Sequence, residues 1–244
     1  MHTEQTLQKM RLLKLTHMAQ SLEDRLSRGE HHKVDPETFV ARLVDDEAEG
    51  RATKRLQGLI KRASVRPEKA ALENIRYAPD RGFAKKDLER YYRNDWIDRH
   101  ENMVFTGATG TGKTYLAEAL ILQACKLGYK AKKISMDMLF EEIRVHRAMG
   151  KYAKFMKDSS STSVLVIDDF AIGNHDGVQY CELLHLLEER VGKCSTIITS
   201  QYPTELWHER IPDPTIADAI CDRLLMTSWV LELKGDSQRG KPHE

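Results

Sequence analysis

Gly107-Ala108-Thr109-Gly110-Thr111-Gly112-Lys113-Thr114 sets three glycines, a lysine and a hydroxyl at the G-x-x-x-x-G-K-[ST] spacing of a phosphate-binding loop. Gly107, Gly110 and Gly112 let the backbone take dihedrals barred to other residues, so its N–H groups come close to phosphate oxygens. A helix starting near Lys113 would point the positive end of its dipole at the same phosphates. Lys113 would then reach the β- and γ-phosphates as a point charge, and the Thr114 hydroxyl would hold Mg²⁺. Residues 107–114, with Tyr115 next in line, form the expected nucleotide-contacting set. An apolar run from Met103 precedes the loop and a periodic apolar segment to Leu120 follows it, supplying the strand and helix that the loop needs.

Ser163-Val-Leu-Val-Ile-Asp168-Asp169-Phe170 is the natural counterpart, about 50 residues further on. A buried strand ending in a carboxylate puts Asp168 at the sheet edge where the phosphates lie, suited to Mg²⁺ directly or through water. Asp169 could orient or deprotonate an attacking water. The bland alternative is that two acids simply end a strand. Thr196-Ile-Ile-Thr199-Ser200-Gln201 ends in polar groups at the same expected edge, with Thr199 and Gln201 the candidates to bond the γ-phosphate or place the water. No N-K-x-D occurs, and Asp168 to Gly173 does not match D-x-x-G, so ATP is a better fit than GTP.

These groups need a sheet to hold them. From Asn102 the pattern alternates strands with helices: strands over 103–106, 130–135, 163–167, 196–199 and 230–233, helices over 113–127, 136–149 and 179–191. Continuous apolar strands between helices predict a parallel sheet covered on both faces. Residues 1–76 read instead as a helical N-terminal domain and 77–244 as the nucleotide core, with residues 77–82 a turn or linker. A helix is expected over 5–28. A second starts at Asp35-Pro36 with Asp as cap, burying Phe39, Val40, Leu43 and Val44. Over 85–99 a polar helix carries Tyr91, Tyr92 and Trp96, which either pack on the core or flank a base.

The chain of 244 residues has a net charge of +1, but the first hundred residues hold 21 Lys and Arg against 17 Asp and Glu. At 100° per residue Arg51, Lys54, Arg55, Lys61, Arg62, Arg66 and Lys69 share one side of a helix, and Glu68 is the only acid among residues 51–69. Such a stripe could track the phosphate backbone of double-stranded DNA; it could equally be a solvated face paired with acids elsewhere. Gly58 and Pro67 argue against one continuous helix there. The four cysteines show no C-x-x-C spacing, no apolar run is long enough to span a membrane, and no signal-peptide pattern opens the chain, which together fit a cytoplasmic protein.

Taken together, Gly107–Thr114, the Asp168-Asp169 strand, Thr199–Gln201, Trp207, Asp213–Leu224 and Leu233–Arg239 resemble the IstB family. These are the ATP-binding helper proteins of IS21-type insertion sequences, relatives of the DnaC helicase loaders among the AAA+ ATPases. The A-D-A-I-C-D-R-L stretch followed by G-D-S-Q-R carries the resemblance most specifically. It implies a P-loop NTPase fold of AAA+ type, with ATP and Mg²⁺ bound between neighbouring subunits of a homo-oligomer. It also implies that Arg223 is presented to a neighbour's nucleotide, where such an arginine adds about 10³–10⁵ to the hydrolysis rate. Arg190 and Arg210 are rivals for that role, and Arg239 resembles a second nucleotide-sensing arginine. Two departures stand out: no sizeable lid follows the core, and Asp169 replaces a common glutamate. The implied function is assembly on DNA and recruitment or stimulation of a partner transposase. Helicase loading, or a stand-alone phosphotransferase, are the other readings.

Overall fold

In the computed structural model, which describes residues 2–65, 72–75, 77, 81–92 and 95–238, the apolar runs of the second part of the chain pair side by side. The strands are β1 (Asn102–Thr106), β2 (Ala131–Ser135), β3 (Val164–Asp168), β4 (Ser195–Ser200) and β5 (Ser228–Glu232). They form one sheet in the order β2-β3-β4-β1-β5, and every pairing is parallel. β1, β3 and β4 are buried along their whole lengths, as strands covered on both faces must be. The sequence order of β3 and β4 is thus inverted relative to β1: β4 inserts between the strand that feeds the glycine loop and the strand that ends in Asp168.

Helices cross between these strands. They are α6 (Lys113–Lys126), α7 (Met136–Ala148), α8 (Tyr152–Ser160), α9 (Gly177–Arg190), α10 (Trp207–Arg210) and α11 (Pro214–Leu225). α6 is apolar on almost all sides and buries Leu116, Leu120 and Ile121. Asp176 caps α9 through a reciprocal box with Gln179, and Asp213 caps α11 just before Pro214. α8 and α11 were not predicted from the sequence. Ser159 and Ser160 of the polar stretch Ser159–Ser163 are the last residues of α8.

The chain's contacts divide it into two compact units, Met1–Gly58 and Leu59–Glu244. Among the described residues the first holds α1 (His2–Leu12), α2 (Thr16–Ser27) and most of α3 (Pro36–Ala63). The single helix expected over 5–28 is broken, because Lys14 takes a left-handed φ of 60° and the Leu15 N–H turns back to the Met10 carbonyl at 2.9 Å. Asp35 caps α3 as expected, accepting the Thr38 N–H at 2.9 Å. Leu43 is buried, but Val40 and Val44 are exposed, correcting the wider apolar side expected there. α3 runs unbroken through Gly58: an isolated glycine lowers helix stability by only about 1 kcal/mol, which the packed Leu43, Leu59 and Ala63 offset. α4 (Lys85–Tyr92) and α5 (Asp95–Asp98) belong to the second unit. Tyr91 and Trp96 are buried there, with the Trp96 indole donating to the Tyr91 carbonyl at 3.3 Å, so these aromatics pack on the core.

Arg190 is 1% exposed and sits in a cage of oxygens. It donates to Thr196 Oγ1 at 3.0 Å, to the Ser159 and Thr162 carbonyls at 2.8 Å each, and to the Ser195 carbonyl. Burial without a carboxylate beside it lowers its pKa to about 10, still well above neutrality. A side chain so enclosed presents nothing to a neighbouring subunit, which removes it as a rival to Arg223. Replacing Arg190 with leucine removes all of these hydrogen bonds at once. We expect a loss on the order of 3 kcal/mol or more in urea unfolding, against a few tenths for Lys193→Leu on the exposed loop beyond it.

Candidate nucleotide-binding site

The glycine loop leaves β1 at its C-terminal edge and enters α6 at Lys113, the geometry its spacing predicts. Gly107 and Gly112 have φ of 135° and 97°, both in the region that favours glycine. Gly107 is also constrained from outside, since a Cβ there would collide with the Leu233 carbonyl, whose own N–H bonds Thr106 at 2.8 Å. The Lys113 ammonium lies inside the loop, donating to the Gly107 and Ala108 carbonyls at 2.7 and 2.9 Å. Ala108 and Thr109 at the tip are exposed, Thr111 is buried, and Tyr115 is half-buried on the first turn of α6.

At the end of β3, Asp168 is the point of convergence. Its Oδ1 accepts the Thr114 hydroxyl at 2.9 Å and the Thr199 hydroxyl from the other side. Thr199 Oγ1 in turn accepts the Asp169 N–H at 3.2 Å. Three segments distant in sequence therefore meet through one carboxylate: the start of α6, the end of β3 and the end of β4. Thr199 thus bonds both acids, a contact its place in sequence did not reveal. Gln201 lies just past β4 and is exposed.

Asp169 adopts a left-handed φ of 59°, an uncommon conformation for a side chain without a helix C-terminus to explain it. Partial burial raises its pKa, the adjacent Asp168 adds to that, and Lys113 opposes it. Asp137, at the first turn of α7, also raises it, which places a third carboxylate at this edge of the sheet.

The donor set suits ATP with Mg²⁺. Thr114 Oγ1 and Asp168 Oδ1 are hard oxygens side by side, and Mg²⁺ is commonly held by one or two protein oxygens together with substrate phosphates. Among the described residues no group of three or more His, Cys, Asp or Glu could hold a metal by itself.

The remaining candidates are dispersed. Arg223, on α11, is partly exposed; it donates to Glu188 on α9 at 2.8 Å and to the Ala219 carbonyl at 2.9 Å. Arg210 is exposed, with its guanidinium 3.8 Å from the Tyr202 ring centroid. On α3, Lys54, Arg55, Lys61 and Arg62 are exposed, while Arg51 is committed to Glu47 at 2.6 Å and to the Lys14 carbonyl at 2.9 Å. Arg66, Lys69 and Arg239 lie outside the described residues.

Two contacts to the loop carry no sequence motif. Arg81 is 6% exposed and donates to the Thr111 carbonyl at 2.7 Å. The Gln238 N–H bonds the Gly110 carbonyl at 2.9 Å, laying the segment after β5 against the loop. The resemblance singled out Leu233–Arg239, but only the folded chain shows what that segment touches.

A sequence model of the IstB-like ATP binding protein family matches residues 8–244. An insertion sequence ATP-binding protein of Sinorhizobium fredii is 35% identical over 96% of this chain and 94% of its own length. An IS1162 ATP-binding protein of Pseudomonas fluorescens is 31% identical over 84% and 88%. Among solved structures, AMPPCP-bound DnaA from Aquifex aeolicus superposes with a TM-score of 0.60 at 20% identity, covering 71% of this chain and 52% of DnaA. The DnaC helicase loader does so with a TM-score of 0.55 at 20% identity, covering 68% and 97%. At these identities the structures share the fold.

Thr199→Val keeps the shape of the side chain and removes both hydrogen bonds. Partners of a metal-binding carboxylate are commonly worth 10–100-fold in metal affinity or activity. We expect a loss of that order in ATP turnover or in the Mg²⁺ concentration needed, with Thr199→Ser close to wild type in a steady-state phosphate-release assay.

Proposed function

The chain belongs to the IstB-like ATP-binding protein family, and from that premise we propose that it is a DNA-binding ATPase that assembles on duplex DNA and recruits or stimulates a partner transposase. The observation that carries the hydrolytic part is the meeting of Thr114 and Thr199 on Asp168, with Asp169 beside them. Loop amides and the Lys113 ammonium bind the triphosphate and offset its charge. Thr114 and Asp168 would hold Mg²⁺, which neutralises charge developing on the phosphates. Asp169 orients the attacking water and takes its proton, and Gln201 stands at the edge of the same site. The left-handed backbone of Asp169 fixes where that carboxylate leaves the chain.

Assembly is supported by Arg223. It lies partly exposed on α11, where among the described residues its guanidinium donates to Glu188 and the Ala219 carbonyl, and we take it to serve a site that another copy completes. Arg239 is proposed as a second nucleotide-sensing arginine. Residues 1–76 are proposed as the DNA- and partner-binding domain and 77–244 as the ATPase core. The exposed cations Lys54, Arg55, Lys61 and Arg62, continued by Arg66 and Lys69, supply the charge for DNA phosphates. Arg51 contributes charge while also tying α3 to the turn after α1. The insertion-sequence context of the curated relatives supports a transposase as partner, and the replication initiator DnaA has been captured with both AMPPCP and single-stranded DNA on a similar fold.

Sizing the protein with duplex DNA and a non-hydrolysable ATP analogue tests the reading. Nucleotide-dependent growth into a large complex is expected, and a monomer under all conditions would refute it. Lys113→Ala should abolish nucleotide binding. Asp169→Asn should bind ATP yet hydrolyse it slowly and so accumulate the assembled form; wild-type turnover in that variant would dismiss Asp169 as the base.

The basic residues make a separate claim. Charge reversal at Lys54, Arg55 and Lys61 should weaken duplex binding and lower the slope of log K against log salt by about 0.9 per lost phosphate contact. ATP binding should be unaffected. An unaltered salt slope would assign these side chains to a solvated surface.

A further inference from the structure

Arg81 and Gly82, at the end of the turn or linker expected over 77–82, lie against the end of β5; residues 78–80 of that stretch lie outside the described residues. The Arg81 carbonyl accepts the Lys234 N–H at 3.0 Å, and a Cβ on Gly82 would lie 2.7 Å from the Glu232 carbonyl, so the backbone runs tightly along the end of β5. From there the Arg81 side chain passes against the Phe83 ring, with its guanidinium carbon 4.9 Å from the ring centroid. It ends on the Thr111 carbonyl at 2.7 Å, and a Cβ on Gly112 would come within 2.9 Å of its Nη2. A nearly buried cation is thus delivered to the backbone of the glycine loop by a chain segment about 25 residues upstream of it.

Peptide geometry gives this contact a consequence. The unit joining Thr111 to Gly112 is planar and trans, so its C=O and N–H point in opposite directions. Holding the carbonyl on Arg81 therefore aims the Gly112 N–H to the opposite side, away from the guanidinium. Gly112, with a φ of 97°, has no side chain to resist rotation of that peptide. Without Arg81 the buried Thr111 carbonyl would be left unsatisfied and would gain by turning, which would swing the amide donor away from a phosphate.

We propose that Arg81 is a positioning residue for nucleotide binding, fixing the Thr111–Gly112 peptide so that the loop meets the triphosphate with its amides already aimed. The inference rests on the loop being the ATP site. It separates binding from chemistry, because Arg81 touches the loop backbone whereas Asp168, Asp169 and Thr199 form a different set of contacts.

The test compares full-length wild type, Arg81→Met, Arg81→Lys and Lys113→Ala by titration with a fluorescent ATP analogue and by steady-state phosphate release. Losing a charge-assisted bond to a buried carbonyl should weaken analogue binding by roughly ten- to a hundredfold in Arg81→Met, raising KM in parallel and leaving kcat close to wild type. Arg81→Lys, which keeps one cationic donor, should recover part of the affinity. Wild-type affinity in Arg81→Met, or a fall in kcat at unchanged KM, overturns the proposal. If Arg81→Met does not fold, Arg81→Lys decides: a raised KM at unchanged kcat supports the assignment, and an unchanged KM overturns it. Failure of wild type to bind the analogue would refute the ATP reading itself, whereas binding by wild type and by Arg81→Met alike would refute the Arg81 role alone.

Discussion

The site depends on one carboxylate oxygen that accepts hydroxyls from two directions. Asp168 stands at the end of β3, Thr199 at the end of β4 and Thr114 on the first turn of α6, and Oδ1 of Asp168 joins all three. Hydrogen bonds to an ionised acceptor are roughly twice as strong as neutral ones, and here they cross-link elements separated by 31 and 54 residues of sequence. The parallel sheet makes this possible, because parallel strands bring their C-terminal ends, and the loops that follow, to one edge. Inserting β4 between β1 and β3 then puts a polar side chain between the loop that binds phosphate and the acid that would hold Mg²⁺.

Several buried polar groups support that edge without taking part in chemistry. Asn102 opens β1, accepts the Thr196 N–H at 2.8 Å and donates to the Arg223 carbonyl, tying together β1, β4 and α11. Arg190 donates to carbonyls at the end of α8 and the start of β4. Arg81 does the same for the glycine loop. Each cation lies where irregular backbone is buried and its carbonyls need donors, and arginine offers five donors in a fixed fork. The two arginines are uses of one physical solution, and they show why a buried arginine in this chain is not by itself a sign of catalysis.

Strain is concentrated at the same place. Asp169 holds a left-handed backbone conformation directly after the buried strand, with its N–H on Thr199 and its carboxylate pushed toward the neutral form by partial burial and by Asp168. The conformation has a cost of order 1–3 kcal/mol, sustained because Thr199 and the following Phe170 N–H, bonded to the Thr199 carbonyl at 2.8 Å, fix the turn from both sides. A carboxylate held this way is aimed by the sheet and not by its own flexibility.

By itself the sequence determined the glycine loop, the five-strand parallel sheet, the two acids and the choice of a nucleoside triphosphate, because each is a local signal. Glycine spacing, runs of buried β-branched residues and acids at strand ends follow from backbone sterics and burial within a dozen residues. Helix termini at Lys14 and Ala63 were less legible, since a left-handed turn or a tolerated glycine is decided by packing and not by propensity. Only the tertiary structure decided which polar groups meet. Thr199 bonds Asp168 and the Asp169 N–H, Arg190 fills a cage of carbonyls, and Arg81 at the end of an expected linker bonds the glycine loop. Those outcomes depend on strand order and on which orphaned carbonyls lie within reach, and neither is encoded at any fixed spacing along the chain.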